Sequence, residues 1–226
     1  MDISSWKNQA KQALAGNVGA HAVIAQLGNE QIDGSDHEAN LLLGILYGQT
    51  GQLDLAVEHL RQSLIQDQRN PDAIFFLGCF DALRYPGLHK SWAIRRDHAK
   101  NALRLVENTP QAAAWPQLKV CLEILATAAS YVGPPEDAEF AYRWLIKIDP
   151  ANADHYAKLS QLRADDDLEE AVALIDHART LNPAIVNKTD VELSRKVLSD
   201  GTRRKSIARA KYPSTREMRG DLSAVI

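Results

Sequence analysis

Two tripeptides constrain this chain more than anything else in it: Leu42-Leu43-Gly44 and Phe76-Leu77-Gly78 lie 34 residues apart. Self-similarity at a fixed spacing of this size marks a supersecondary unit repeated along the chain. After Gly44 comes Tyr47 one helical turn on, then a turn at Thr50-Gly51-Gln52. A second amphipathic segment follows, with Ala56, Leu60, Ser63 and Leu64 on one face. One helical hairpin cannot bury its own apolar face, whereas stacked hairpins share a continuous core, so about three or more are needed.

Later copies are less regular. In the second, the turn expands into Arg84-Tyr85-Pro86-Gly87-Leu88-His89-Lys90-Ser91, about five residues longer than before, and the second helix is expected from about Trp92 to Val106 with Ala99, Ala102 and Leu103 inward. The third reads Leu122, Leu125, Ala126 and Ala129, a turn at Gly133-Pro134-Pro135, then Ala138, Tyr142 and Leu145 before Asp149-Pro150. The fourth has Tyr156, Leu159 and Ser160, a polar turn at Asp165-Asp166-Asp167, then Ala171, Ile175, Ala178 and Leu181 before Asn182-Pro183. Trp6, Ala10, Ala13 and Leu14, with Ala22, Val23, Ala25 and Leu27, suggest one more degenerate pair, closed by Gly28. Thr189-Asp190-Val191-Glu192 has the form of a capping box that opens a terminal helix.

The glycine midway along the first helix, the early alanine of the second, the 34-residue period and the Asp-Pro closure resemble the tetratricopeptide repeat family. The resemblance covers about four repeats over residues 36–183. It implies an all-α fold, a right-handed superhelical array of antiparallel helix pairs. The expected organisation is a degenerate N-terminal pair (1–35), the repeats (36–183), a capping helix (184–199) and a basic C-terminal tail (200–226).

In that family the first helix of each pair lines a concave groove. Carrying the register across implies groove positions at Glu38, Leu41 and Ile45, then Asp72, Phe75 and Cys79, then Glu123 and Thr127, then Asp154, Ala157 and Gln161. Members that clamp a terminal carboxylate use Lys and Asn at these places. Here Leu41, Ile45 and Phe75 stand instead, so that activity is not implied. An apolar half-groove implies a protein or peptide partner with apolar anchors, bound as a strand or an amphipathic helix. The competing reading is that the N-terminal pair shields these residues.

Composition narrows the function. At 226 residues and 45% hydrophobic content the chain can bury an ordinary core, and its net charge of -3 is not that of a nucleic-acid binder. Cys79 and Cys121 are the only cysteines, each in an apolar stretch, so a reducing compartment and buried thiols are expected. No apolar run approaches the roughly 20 residues that span a bilayer, and the N-terminus lacks an apolar signal segment, so a cytoplasmic protein is expected. No HExxH, phosphate loop, nucleophile elbow or dinucleotide fingerprint occurs, and the seven histidines show no metal-ligand spacing. No catalytic residue, metal or cofactor is expected. The acids Asp165-Asp166-Asp167 and Glu169-Glu170 suit a turn and a helix N-terminus.

Two surface features remain. Tyr85, Leu88 and Trp92 in the insertion form either a knob that contacts a partner or a loop folded onto its own repeat. Residues 200–226 hold seven Lys/Arg against three Asp/Glu, leaving -7 on residues 1–199. Arg203, Arg204, Lys205, Arg209 and Lys211 lie there, followed by a second capping box at Ser214-Thr215-Arg216-Glu217 and by Met218, Leu222 and Val225 at helical spacing. Such a tail suits a solvated segment, docking in a groove of this chain or of a partner, polyanion contact, or a natural chain that continues. The leading expectation is a non-catalytic scaffold, adaptor or chaperone-like protein. The alternatives are a recognition or regulatory subunit or fragment of a modifying enzyme, and a nucleic-acid-associated protein acting through the tail.

Overall fold

The computed structural model describes residues 3–16, 18–26, 35–107, 109, 112–185 and 193. Among them the chain forms ten α-helices and no strand: α1 Ile3–Leu14, α2 Ala20–Gln26, α3 His37–Gln49, α4 Leu53–Gln66, α5 Pro71–Leu83, α6 Leu88–Val106, α7 Leu118–Val132, α8 Pro135–Ile148, α9 Ala153–Arg163 and α10 Leu168–Leu181. Two compact units divide at Gln117/Leu118, a boundary the repeat pattern did not suggest.

Local chemistry sets the helix starts. The Asp36 side chain accepts from the Ala39 amide at 3.0 Å, and 34 residues later Asn70 accepts from the Ala73 amide at 3.0 Å. Asn152 and Asp167 cap α9 and α10 in the same manner, at 3.1 and 2.9 Å. Each cap satisfies one of the amides a helix leaves without an internal partner. Pro71 and Pro135 occupy the first helical position of α5 and α8, where a missing N–H costs nothing. Gly51 turns α3 into α4 at φ +80°, a conformation glycine adopts without penalty.

In the first unit, α1 and α2 pack on one another and on α3. Trp6, Ala10, Ala13 and Val23 meet Ala39, Leu42, Leu43 and Leu46 in one buried cluster, and the Trp6 indole N–H donates to the Val23 carbonyl at 3.2 Å. The pairs α3–α4 and α5–α6 join through α4 and α5, where Val57 and Leu60 meet Leu77. Two buried polar side chains in this layer are paired: Ser63 donates to the His37 carbonyl at 2.8 Å, and Asn40 Oδ1 lies 2.9 Å from His59 Nδ1.

In the second unit, α7–α8 and α9–α10 join through α8 and α9. A closed square of charge staples this junction. Arg143 donates to Glu139 at 2.8 Å and to Glu170 at 2.9 Å, while Arg163 donates to Glu170 at 2.9 Å and to Glu139 at 3.2 Å. Each carboxylate serves two guanidinium groups across α8, α9 and α10, so the network contributes more than isolated surface pairs would. Inside the same unit Ser160 donates to the Ala171 carbonyl at 2.7 Å.

Helix α6 begins at Leu88 and not near Trp92 as the sequence pattern suggested. Pro86-Gly87 ends the connection abruptly, and Gly87 stands at the N-cap with an extended backbone, so the helix takes up the residues that follow. Of the expected capping helix only Leu193 is described; it is helical and buried. Gly28, the capping boxes at Thr189 and Ser214, and the tail with Arg203, Arg204, Lys205, Arg209 and Lys211 lie outside the described residues.

Close packing at the helix crossings generates the first prediction. A Cβ on Gly44 would stand 2.5 Å from Leu60 Cγ, and one on Gly78 would stand 2.3 Å from His98 Cβ. Neither obstacle is the loose end of a side chain, so a larger residue must push the helices apart. Gly44→Leu and Gly78→Leu should each destabilise by about 3 kcal/mol or more, beyond the usual range for overpacking. Thermal unfolding followed by circular dichroism checks this, and an unchanged midpoint would refute it.

Buried imidazoles generate the second. Burial pushes His59, His155 and His177 below the ordinary histidine value of 6.5. The Asn152 amide holds its oxygen toward the Asp154 N–H, so its nitrogen donates to His155 Nε2 at 3.3 Å and the proton sits on Nδ1. That buried N–H finds no acceptor among the described residues. An unfolded chain binds protons at these histidines at a higher pH than the folded chain does, so stability rises with pH. The contribution is complete above about 6.5 and is lost as pH falls below it. The unfolding midpoint should drop between pH 7.5 and 5.5, with a shallower slope in His155→Gln; an equal slope would remove His155 from the account.

Candidate peptide-binding faces

The face expected to form an apolar half-groove is largely filled in the first unit. Phe75 is only 4% exposed and Ile45 7%, so neither offers a wall to a ligand, which corrects the expectation drawn from their register. The cause at Phe75 is Trp115. Its indole stands edge-on to the Phe75 ring at 6.1 Å, and its N–H donates to Asp72 at 2.9 Å, covering two of the expected groove residues at once. Phe76 meets Phe75 edge-on from the other side at 5.2 Å. Leu41 is half-buried against the Val57, Leu60 and Leu77 cluster.

Glu38 is spoken for as well. Lys11 approaches it at 2.7 Å and Lys7 at 3.2 Å, while Lys7 also meets Asp36 at 2.7 Å. Hydrogen bonds from Lys11 and then Lys7 hold the Glu38 carboxyl below the usual range, and the Asp36 contact raises Lys7 above its own. The N-terminal pair therefore neutralises this end of the face. Cys79 is half-buried on α5; burial pushes its thiol to about 11, against a weaker pull from Arg95, so it is not a nucleophile at neutral pH. Cys121 is buried in α7.

The second unit presents the same register differently. Glu123 is exposed and Thr127 half-buried on α7. Val120 and Tyr131, which the sequence reading passed over, are 47% and 69% exposed. At 100° per residue Val120, Glu123, Thr127 and Tyr131 fall on one stripe, opposite the buried Leu118, Leu122, Leu125 and Ala129. That spacing was the available signal. On α9, Asp154 is exposed and Gln161 half-buried, whereas Ala157 is buried and withdraws from the expected set.

The insertion divides between the two expected outcomes. Tyr85 and Trp92 are half-buried, and Leu88 is 77% exposed. Lys90 Nζ lies 3.6 Å from the centre of the Tyr85 ring, and the Arg95 guanidinium 5.0 Å from Trp92. A cleft of about 450 Å³ beside it is lined by Gly51, Leu53, Asp54, Arg84 and Tyr85, with Arg84 paired to Asp54 at 2.8 Å. Among the described residues no three His, Cys, Asp or Glu side chains are grouped to hold a metal, and no helix is long and apolar enough to cross a membrane.

No protein-family model matches the chain, and no curated protein matches it significantly. Solved structures do. MamA of strain AMB-1 is 17% identical, with 84% of this chain and 98% of that one aligned at a TM-score of 0.61. YrrB, described as a TPR protein with an unusual peptide-binding site, is 17% identical over 84% of this chain and 90% of its own, at 0.56. PilF of Pseudomonas aeruginosa is 16% identical over 98% and 96%, at 0.55. At such identities the likeness speaks to fold: the chain is a tetratricopeptide-type α-solenoid.

Phe75 under Trp115 behaves as core in this geometry. Phe75→Glu should lower the unfolding midpoint as severely as Gly78→Leu does, because it buries a charge without a partner. Retention of the wild-type midpoint would reopen this face as a ligand surface.

Proposed function

We propose that the chain is a non-catalytic scaffold that holds a partner polypeptide on the exposed face of α7. The observation that carries this reading is the Val120, Glu123, Thr127 and Tyr131 stripe. Two large apolar side chains stand in solvent there, in line with a carboxylate and a hydroxyl. Isolated exposed hydrophobics are ordinary, but a row of them on one helix face, interleaved with hydrogen-bonding groups, has the make-up of a peptide site. Tyrosine supplies a broad contact at low entropic cost, which suits an anchor. The likeness to YrrB, a TPR protein described as having an unusual peptide-binding site, is consistent with the same use of this fold. On the expected groove face the half-buried Cys79 thiol, pushed up to about 11 by burial, supplies no thiolate nucleophile at neutral pH.

The experiment is affinity capture with quantitative mass spectrometry, comparing the full chain with a Val120→Asp, Tyr131→Glu double variant. Both positions face solvent, so the unfolding midpoint should stay within about 1 °C of wild type, as for surface substitutions generally. Partners captured by the wild type should be depleted about ten-fold or more on the double variant, the loss of one good anchor. Equal capture by both chains would move the site off α7.

A further inference from the structure

A second face, on α6, carries an inference independent of the α7 stripe. Gly78 of α5 lies against His98 of α6, which fixes how these antiparallel helices align. Five residues on, α5 ends at Leu83, while α6 runs back past that point to Leu88. The first turn of α6 therefore projects roughly 7 Å beyond its partner helix, at 1.5 Å per residue. Leu88, Trp92 and Arg95 occupy one stripe at spacings of four and three, and that stripe continues into Ala99, Ala102 and Leu103, which are buried. The inward face of α6 thus emerges past the end of α5 with Leu88 77% exposed, Leu83 of α5 55% exposed nearby in sequence, and Trp92 half-buried.

The charge on this helix is mostly basic. Helix α6 holds five Lys/Arg against one Asp, in a chain whose net charge is -3. The acids around it are already engaged: Asp54 and Asp81 with Arg84 at 2.8 and 3.0 Å, and Asp97 with Arg96 at 2.8 Å. Lys90 has the Tyr85 ring beneath it. Arg95 leans on Trp92, and its buried Nε finds no acceptor among the described residues. A buried guanidinium N–H without an acceptor costs free energy that a carboxylate would recover in a charge-assisted hydrogen bond.

We propose that the projecting turn of α6 docks an acidic segment of a partner protein, seating an apolar side chain on Leu88 and Trp92 and a carboxylate on Arg95. Charge decides the occupant. The basic segment 200–226 of this chain, with seven Lys/Arg against three Asp/Glu, would be repelled by the same residues.

Selection of a displayed library of random twelve-residue segments on the full chain tests the proposal, repeated on Leu88→Asp, Arg95→Glu and the chain without residues 200–226. Enriched segments should pair Asp or Glu with Leu, Phe or Trp. Synthetic copies should bind about ten-fold or more weakly to both point variants, and weaken as salt is raised. Thermal unfolding of Leu88→Asp should match wild type, since Leu88 is exposed, while Arg95→Glu, which gives up its contact with Trp92, should unfold somewhat lower and remain folded at the temperature of the selection. Any of three results overturns the proposal: no enrichment, basic segments in place of acidic ones, or binding indifferent to both variants. A marked gain in affinity on removing 200–226 would also overturn it, by making that segment the occupant. Segments lost on Val120→Asp, Tyr131→Glu but kept on Arg95→Glu report the α7 face, so the two sites fail separately.

Discussion

The helices of the pairs α3–α4 and α5–α6 approach one another at glycine, and the packing of the first unit depends on that contact. Leu60 rides on Gly44 and the base of His98 on Gly78, at distances no Cβ would permit. The next layer repeats the device: the Phe80 ring covers Gly48, where an added Cβ would meet ring carbons 2.2 to 2.5 Å away. Because these crossings are tight, a cross-pair cluster of Val57, Leu60 and Leu77 closes behind them. Dispersion between so few residues stabilises only when the surfaces fit without voids, so the small residues matter for what they let the large ones reach.

A solenoid whose first helices line a face can leave that face open or fill it, and this chain does both. In the first unit Trp115 comes from the connection after α6 and satisfies two needs with one side chain, covering the Phe75 ring and giving its N–H to Asp72. Lys7 and Lys11 neutralise Asp36 and Glu38 at the other end. In the second unit Val120 and Tyr131 remain 47% and 69% exposed among the described residues. The polar investment there lies instead in the Glu139, Arg143, Glu170 and Arg163 square that ties α8, α9 and α10 together. The same repeat thus closes on itself in one unit and leaves Val120 and Tyr131 partly exposed in the other.

What could be read in advance follows from which signals are local. The helix pairs, the turn at Gly51 and the ends at Asp149 and Asn182 are written in short spans by period, glycine and proline, and they stand where the sequence put them, while Pro135, read as part of the turn, opens α8. Trp115 was illegible for the opposite reason: it sits in a stretch with no periodicity, and its partners lie 43 residues away at Asp72 and 40 away at Phe75. Lys7 and Lys11 escaped because the degenerate first pair offered no glycine to anchor its register. Ile45, Phe75 and Ala157 had the right register and the wrong exposure, since register gives a direction and not what stands in front of it. Val120 and Tyr131 were legible by spacing from Glu123 and Thr127, and only the habit of reading exposed positions as polar concealed them.

The lengthened α6 shows how an insertion acquires a surface. Residues added to a loop between two helices either stay in the loop or extend one helix, and Pro86-Gly87 forces the second outcome by stopping the chain and leaving Leu88 free to begin a turn. A helix can bury its inward stripe only as far as its partner reaches. Beyond Leu83 there is no α5, so of the side chains that continue the buried stripe Trp92 stays half-buried and Leu88 passes into solvent. A mixed apolar and basic tip is then a geometric consequence of unequal helix lengths. Arg95 Nε finds no acceptor among the described residues, and that atom, more than the exposed leucine, is the one a carboxylate would satisfy.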